Sequence, residues 1–176
     1  MNDKSIVARC LTGESQAFEI IVNKYQSPLL HFTWSILGDQ DEAKDVTQDT
    51  LVRTYIHLDS YDPERNFKTW MYTIAHNICM DKIREKRSRM RFIKNIQKVR
   101  HLTVNRENPQ KIFETSQQYG QLLKKLNERE RTAIVLKWNE GYRSREIAEI
   151  LGCKESTVRV YILNAKRKLK KILEKK

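Results

Sequence analysis

Apolar side chains recur at every third or fourth position along most of the chain, which is the spacing of one face of an α-helix. The first clear set is Phe18, Ile21, Val22 and Tyr25. The sequence lacks runs of alternating apolar and polar residues between turn pairs such as Asn-Gly, which would indicate strands. The pattern therefore predicts an all-α protein.

Turn-forming residues divide this pattern into separate helices. Pro28 is predicted to begin or restart a helix, which ends at Gly38 because glycine commonly follows a helix C-terminus. Asp39 or Asp41 is expected to cap the next helix. Residues 59–66 combine proline with Asp and Asn, so they are predicted to form a loop.

A further helix is predicted to begin near Phe67 and to run into a basic stretch. Its core face is Phe67, Trp70, Met71, Ile74 and Ile78. Residues 89–118 are less regular and contain Pro109, so they are interpreted as a flexible linker. The fold class is therefore two small helical domains, 1–88 and 119–176, joined by this linker.

The C-terminal domain has the pattern of a helix-turn-helix. Asn127 and Glu130 match a capping box at a helix start. A short helix is predicted over residues 144–151, and Gly152 supplies the turn to a second helix. The buried stripe of that second helix is Val158, Ile162, Ala165, Leu169 and Ile172.

The charge of the chain is strongly positive and unevenly distributed. There are 34 Lys and Arg residues against 22 Asp and Glu, a formal charge of +12. Residues 1–81 are acidic, whereas residues 82–106 hold 10 basic side chains and 1 acidic one. Residues 154–176 hold 9 and 2. Two basic blocks on two domains favour a polyanionic partner held at two places, although each block alone also fits a solvated helix face.

The remaining composition favours a protein of the reducing cytoplasm. Cys10, Cys79 and Cys153 are far apart and form neither a zinc pattern nor a disulfide framework. The first ten residues lack the order of a signal peptide, and no apolar run is long enough to insert into a membrane. Structural or incidental roles are expected for the cysteines.

The second helix of the helix-turn-helix is a candidate DNA-reading element. Short polar and basic side chains in its first turns can reach base edges in the major groove, and its N-terminus favours a phosphate. Lys166 and the basic residues after it can contact the flanking backbone. The alternative is an ordinary three-helix core with a solvated basic side.

Two long segments resemble one family. They are LNERERTAIVLKWNEGYRSREIAEILGCKESTVRVYILNAKRKLKKIL (126–173) and FEIIVNKYQSPLLHFTWSILGDQDEAKDVTQDTLVRTYIHLDSYDPERNFKTWMYTIAHNICMDKIREKRS (18–88). The chain resembles the small extracytoplasmic-function (ECF) group of bacterial RNA polymerase sigma factors. The resemblance implies a non-enzymatic initiation factor without metal or cofactor that directs promoter-specific transcription, including promoter melting.

The resemblance also implies a docking helix for the clamp helices of the largest polymerase subunit. A stripe of Asp41, Asp45 and Asp49 suits a basic groove, although acids near a helix N-terminus are also favoured by the helix dipole. The implied core-polymerase-binding residues are Asp45, Gln48, Asp49, Thr50 and Arg53.

A second implied site recognises and melts the promoter minus-ten element. Its loop would capture an extruded base, and the following helix would face DNA, although Phe67 and Trp70 are expected to be core rather than stacking residues. The candidate residues are Arg65, Asn66, Phe67, Lys68, Tyr72, His76, Asn77, Met80, Lys82 and Arg84.

A third implied site reads the minus-thirty-five element through the helix-turn-helix. The residues are Lys154, Glu155, Ser156, Thr157, Arg159, Val160, Asn164 and Arg167. Lys154 stands where a capping Ser or Thr is expected. The implied partners are promoter DNA, the clamp helices and flap of core RNA polymerase, and an anti-sigma factor. The resemblance implies a linker that threads the polymerase channel for nucleic acid, and an acidic linker would suit that channel better than this basic one. The path of the linker is therefore left open, with contact to DNA as the alternative.

Two other functions fit parts of the sequence. A stand-alone helix-turn-helix regulator would need only the C-terminal domain, and it would bind duplex DNA without polymerase. A nuclease would need Asp41, Asp45 and Asp49 to hold a metal, but carboxylates on one helix face rarely form such a site. The sequence contains no P-loop, HExxH or GxSxG motif.

Overall fold

The computed structural model describes residues 2–97 and 114–174, and all its regular elements in these ranges are helical. Two short 3-10 turns, Ser15–Ala17 and Leu58–Ser60, accompany the α-helices. The helices are α1 (Asp3–Leu11), α2 (Phe18–Leu37), α3 (Gln40–Ile56), α4 (Phe67–Gln97), α5 (Glu114–Leu123), α6 (Glu128–Trp138), α7 (Ser144–Leu151) and α8 (Glu155–Leu173).

The predicted helix ends are confirmed where a local residue determines them. Gly38 ends α2 with φ 71°, and Gly152 ends α7 with φ 60°, a left-handed conformation that glycine adopts without steric cost. Asp39, rather than Asp41, caps α3 by accepting hydrogen bonds from two backbone N–H groups. Asn127 and Glu130 form the predicted capping box of α6.

The N-terminal domain packs α1–α4 around one apolar core. Ile21, Leu29 and Phe32 of α2 are buried against Met71 and Tyr72 of α4. Helices α2 and α3 are also joined by buried hydroxyls. The Thr33 hydroxyl donates to the carbonyl of Ala43 at 3.1 Å and lies 3.0 Å from the Thr47 hydroxyl. These bonds satisfy polar groups that would otherwise be costly to bury.

The C-terminal domain packs α6, α7 and α8 as the predicted helix-turn-helix. Ile134, Ile147 and Val158, one from each helix, are almost fully buried. Glu130 is buried as well, and Lys168 of α8 donates to its two carboxylate oxygens at 2.9 and 2.7 Å. This pairing fixes α8 across α6 and leaves the opposite side of α8 free.

Three sequence expectations about helix extent were wrong or incomplete. Helix α1 was not predicted, because only Ile6 and Val7 give it a buried face. Pro28 does not begin a new helix but lies inside α2, where buried residues on both sides outweigh the lost backbone bond. The predicted linker 89–118 is helical at both ends, since α4 extends to Gln97 and α5 begins at Glu114. Residues 98–113 lie outside the described part of the chain.

The two domains contact each other directly. Helix α7 packs on α4, and α5 and α6 pack on α2. Arg131 of α6 donates to three carbonyls, those of Ile36 in the N-terminal domain at 2.7 Å and of Leu123 and Leu126 at 2.9 and 3.2 Å. We call this contact between the two domains the closed arrangement.

Candidate functional site

The exposed face of α3 carries most of the predicted polymerase-binding residues. Asp45, Gln48 and Arg53 are exposed, and Asp49 is half-buried. Arg53 Nε donates to Asp49 Oδ1 at 2.8 Å, which holds both side chains on this face. Thr50 does not lie on this exposed face as predicted. It is fully buried against the core, and its hydroxyl donates to the carbonyl of Val46 at 2.7 Å. That bond explains how a hydroxyl residue tolerates the buried face.

Two apolar residues on the same face were missed. Val52 is 55% exposed and Ile56 is 62% exposed, and they follow Gln48 and Asp49 at helical spacing. Large apolar side chains held in water without packing partners often mark a contact surface. The sequence contained an indication of this surface, because the buried face of α3 uses only some of the apolar residues of the helix. We call Asp45, Gln48, Asp49, Val52 and Ile56 the α3 patch.

The predicted minus-ten residues divide into exposed and buried groups. The exposed ones are Arg65, Asn66, Asn77, Lys82 and Arg84. Asn66 also caps α4, since its side chain accepts from the backbone N–H of Thr69 at 3.0 Å. Phe67 is buried among the rings of Tyr61, Trp70 and Tyr25, so it is a core residue, as expected, and not a base-capturing one.

Tyr72, His76 and Met80 do not lie on an exposed face as predicted. Tyr72 is fully buried and its ring packs on Phe32 of its own domain and on Tyr142 of the other. His76 is 7% exposed, and Met80 packs against the edge of the core. The helical wheel separates these residues from Met71, but it does not show that Tyr72 also packs on Phe32 or that helix α7 lies against α4.

Acidification is expected to destabilise the folded protein through His76. Burial, and secondly the positive charge of Arg129, lower the pKa of this imidazole from 6.5 to about 4. As the pH falls between these values, the unfolded chain binds a proton that the folded one does not. The free energy of unfolding should therefore drop by up to about 3 kcal/mol over this window, with no effect above it.

Urea unfolding of the parent and of His76→Gln at about pH 7 and about pH 5 measures this effect. The variant should lose less stability on acidification than the parent. Equal losses in the two proteins would show that other groups cause the acid sensitivity.

The exposed side of α8 forms a continuous surface. It includes Ser156, Arg159, Val160 and Arg167, while Glu155, Thr157 and Asn164 are half-buried at its edges. Arg159 donates to Glu155, and Arg167 to Asn164, each at 2.7 Å, so both guanidiniums are held along the helix. Lys154 precedes the helix as its exposed N-cap and makes no side-chain capping bond.

Leu163 was missed on this surface. It is 62% exposed and lies between Val160 and Arg167 on the same side of α8. An apolar side chain in such a position can contact the methyl group of thymine when the helix enters a major groove. The set Ser156, Arg159, Val160, Leu163 and Arg167 is called the α8 face.

An apolar groove of about 480 Å³ lies between α5, the end of α6 and the end of α8. Leu122, Trp138 and Leu173 line it, and Lys166 and Lys170 stand at its edge. Trp138 and Leu173 are exposed. The groove is large enough for the apolar side chains of a partner helix.

Neither thiol chemistry nor a metal centre is indicated among the residues that the structure describes. No group of three or more His, Cys, Asp and Glu side chains is placed to hold a metal ion there. Burial raises the pKa of Cys79 to about 12, and it also raises the pKa of Cys10 and of Cys153. Within the same ranges, no helix is both long and apolar enough to cross a membrane.

Comparison with known proteins identifies both domains. Residues 21–89 match the family Sigma-70 region 2, and residues 116–169 match Sigma-70, region 4. The ECF RNA polymerase sigma factor SigW of Bacillus subtilis is 31% identical over 97% of this chain and 96% of its own length. The chain belongs to the ECF sigma factors. The RNA polymerase sigma-H factor of Pseudomonas aeruginosa is 28% identical, covering 98% of this chain and 94% of that protein.

Two solved structures share this fold. CnrH in complex with the cytosolic domain of CnrY has a TM-score of 0.72 and 25% identity, covering 98% of this chain and 97% of that chain. The sigma factor RpoE of Bartonella quintana, in complex with the anti-sigma factor NepR, has a TM-score of 0.71 and 26% identity, covering 89% and 96%. This ECF sigma factor therefore acts with RNA polymerase in promoter-specific transcription, and both families that it matches are families of sigma factors.

Proposed function

We propose that this sigma factor docks on core RNA polymerase through the α3 patch. The patch combines acidic, amide and apolar side chains, and its members are held by a helix whose other side is core. Such a mixture suits a basic groove with apolar contacts, and we assign it to the clamp helices of the largest subunit. The apolar groove of the C-terminal domain is proposed to take the flap of the polymerase.

We propose further that the α8 face reads the minus-thirty-five element. The observation that carries this proposal is the division of α8 into two sides. Val158 and Ala165 are buried in the domain, whereas the α8 face is in water. Helix-turn-helix proteins place such a helix in the major groove. Lys166, Lys170 and Lys171 lie farther along α8, where they can bind the phosphates that flank the site.

The N-terminal domain is proposed to recognise the minus-ten element and to hold the melted strand. Arg65 and Asn66 precede α4, and Asn77, Lys82 and Arg84 are exposed along it. Melted bases need polar contacts and phosphates need cations, and these residues include both kinds of side chain. Lys68 and Tyr72 are proposed to join these residues only when the two domains separate, because Glu140 of the C-terminal domain binds both. His76 and Met80 are buried and half-buried in the closed arrangement.

Permanganate footprinting of a promoter fragment tests the melting function, because this reagent modifies unpaired thymines. Core polymerase with the sigma factor should expose thymines near the minus-ten element, and core polymerase alone should not. A transcript-forming complex without unpaired thymines would contradict the proposal.

Replacement of Arg159 by alanine is expected to relax sequence preference at one position of the minus-thirty-five element. A base contact by arginine contributes about 1–3 kcal/mol of discrimination, equal to about 5- to 140-fold in promoter preference. Lys171→Ala is the matched control, because Lys171 is exposed on α8 without lining the apolar groove, and a phosphate contact weakens all sequences alike. Selection of binding sites from a randomised promoter library by each holoenzyme measures both effects. An unchanged preference in Arg159→Ala would remove this residue from the α8 face's reading set.

We also propose that an anti-sigma factor binds this sigma factor, and that the sigma factor is located in the cytoplasm. In one solved structure the sigma factor RpoE is bound by the anti-sigma factor NepR, and in another CnrH is bound by the cytosolic domain of CnrY. Both superpositions extend over at least 89% of this chain. A protein that covers the α3 patch would block polymerase binding, and co-purification of the sigma factor with and without core polymerase would identify such a competitor.

A further inference from the structure

Glu140 joins the two domains through a nearly buried carboxylate. It lies between α6 and α7, and its side chain is only 8% exposed. The Tyr72 hydroxyl of α4 donates to its Oε2 at 2.7 Å, and Lys68 Nζ lies 3.2 Å from the same oxygen. Tyr142 completes the site, since the Lys68 ammonium lies 4.7 Å from the centre of its ring. A carboxylate so far removed from water is held by its charge partners.

The two groups that hold Glu140 have the chemistry of a phosphate site. An ammonium and a phenol hydroxyl both donate to anionic oxygens, and Lys68 and Tyr72 are one helical turn apart on α4. Their neighbours add positive charge, because Arg65 precedes α4 on the same side and lies 3.9 Å from Glu149 of α7. Two acids of the C-terminal domain thus occupy positions that an anion from outside would also favour.

We propose that Lys68 and Tyr72 form a binding site for a backbone phosphate of single-stranded promoter DNA, and that Glu140 occupies this site in the closed arrangement. Domain closure and strand binding then exclude one another. The inference rests on the proposed function of α4 in holding the melted strand. It adds that the C-terminal domain itself controls access to this site, so that a partner which separates the domains, such as core polymerase, also exposes it.

Binding of a labelled oligothymidine strand to the full chain tests the proposal. Glu140→Gln keeps the shape of the side chain but removes the charge, so the closed arrangement should weaken. Affinity should rise about tenfold, the size expected for the loss of charge-assisted bonds. Small-angle X-ray scattering of the same variant should show a larger radius of gyration. Tyr72→Phe, which keeps the ring in place, should also open the domains but should bind the strand less tightly than Glu140→Gln.

Two controls separate this effect from the change in net charge. Glu19→Gln alters the charge equally at an exposed position of α2, and it should leave affinity and size unchanged. Lys68→Ala added to Glu140→Gln should abolish the gain in affinity. The proposal is overturned if Glu140→Gln binds the strand no better than the parent, if Glu19→Gln gains as much, or if the gain survives Lys68→Ala.

Strand binding and promoter melting together distinguish failure of this inference from failure of the proposed function. If Glu140→Gln leaves strand binding unchanged while the holoenzyme still melts promoters, only the role of Glu140 is lost. If the holoenzyme opens no promoter, the assignment of α4 to the melted strand is lost as well, whatever the scattering shows.

Discussion

Replacement of Ile56 by glutamate should weaken binding to core RNA polymerase by at least about thirtyfold, corresponding to about 2 kcal/mol, the size of an interface hot spot. Ile56 ends the α3 patch, and its exposure means that little packing in the free protein is lost. A charge placed there would have to be desolvated in the complex. The free energy of unfolding should therefore stay within about 0.5 kcal/mol of the parent.

Leu11→Glu is the matched control for this prediction. Leu11 is also an exposed apolar residue, but it lies at the end of α1, outside the α3 patch. Fluorescence titration of labelled protein with core polymerase should show a large loss for Ile56→Glu and little for Leu11→Glu. Similar affinities for the parent and Ile56→Glu would mean that the polymerase does not use this face of α3.

Replacement of Arg131 by alanine should lower the free energy of unfolding by about 3 kcal/mol. One guanidinium satisfies the carbonyls of Ile36, Leu123 and Leu126, so its removal leaves three partly buried acceptors without this donor. It also removes a direct bond between α2 and α6. Urea denaturation followed by circular dichroism measures the loss.

Arg131→Lys distinguishes the geometry of the guanidinium from its charge. An ammonium keeps the charge but cannot direct donors along three fixed directions, so this variant should recover less than half of the loss. Full recovery in Arg131→Lys would show that charge alone matters. Arg129→Ala, at a neighbouring exposed position, should cost less than Arg131→Ala.

Local features of the fold were predictable from the sequence because each depends on a few neighbouring residues. The capping box at Asn127, the glycines that end α2 and α7, and the buried Val158, Ala165 and Leu169 of α8 are all of this kind. Ile162 and Ile172 of the predicted stripe are only half-buried. Helix α1 and the continuity of α2 through Pro28 were not predictable, because they depend on packing between distant segments.

The same distinction holds for the candidate sites. Helical spacing was enough to expect Ser156 and Arg159 of the α8 face to be exposed, and the resemblance added Val160. Leu163 was missed, because the expected DNA-reading residues were mostly short, polar or basic. Tyr72 and His76 were expected to be exposed, and both are buried. Tyr72 is enclosed by Phe32 of its own domain and by the C-terminal domain, where its hydroxyl bonds to Glu140, 68 residues later in the chain, and periodicity contains no information about such contacts.

Transcription in vitro with core RNA polymerase and a library of promoter fragments, with and without this chain, tests the central claim most directly. We predict start sites that appear only when the chain is present and that share one element near minus ten and another near minus thirty-five. If active core polymerase gains no start site while the chain alone binds a specific duplex, the sigma role is contradicted and a stand-alone regulator explains the helix-turn-helix.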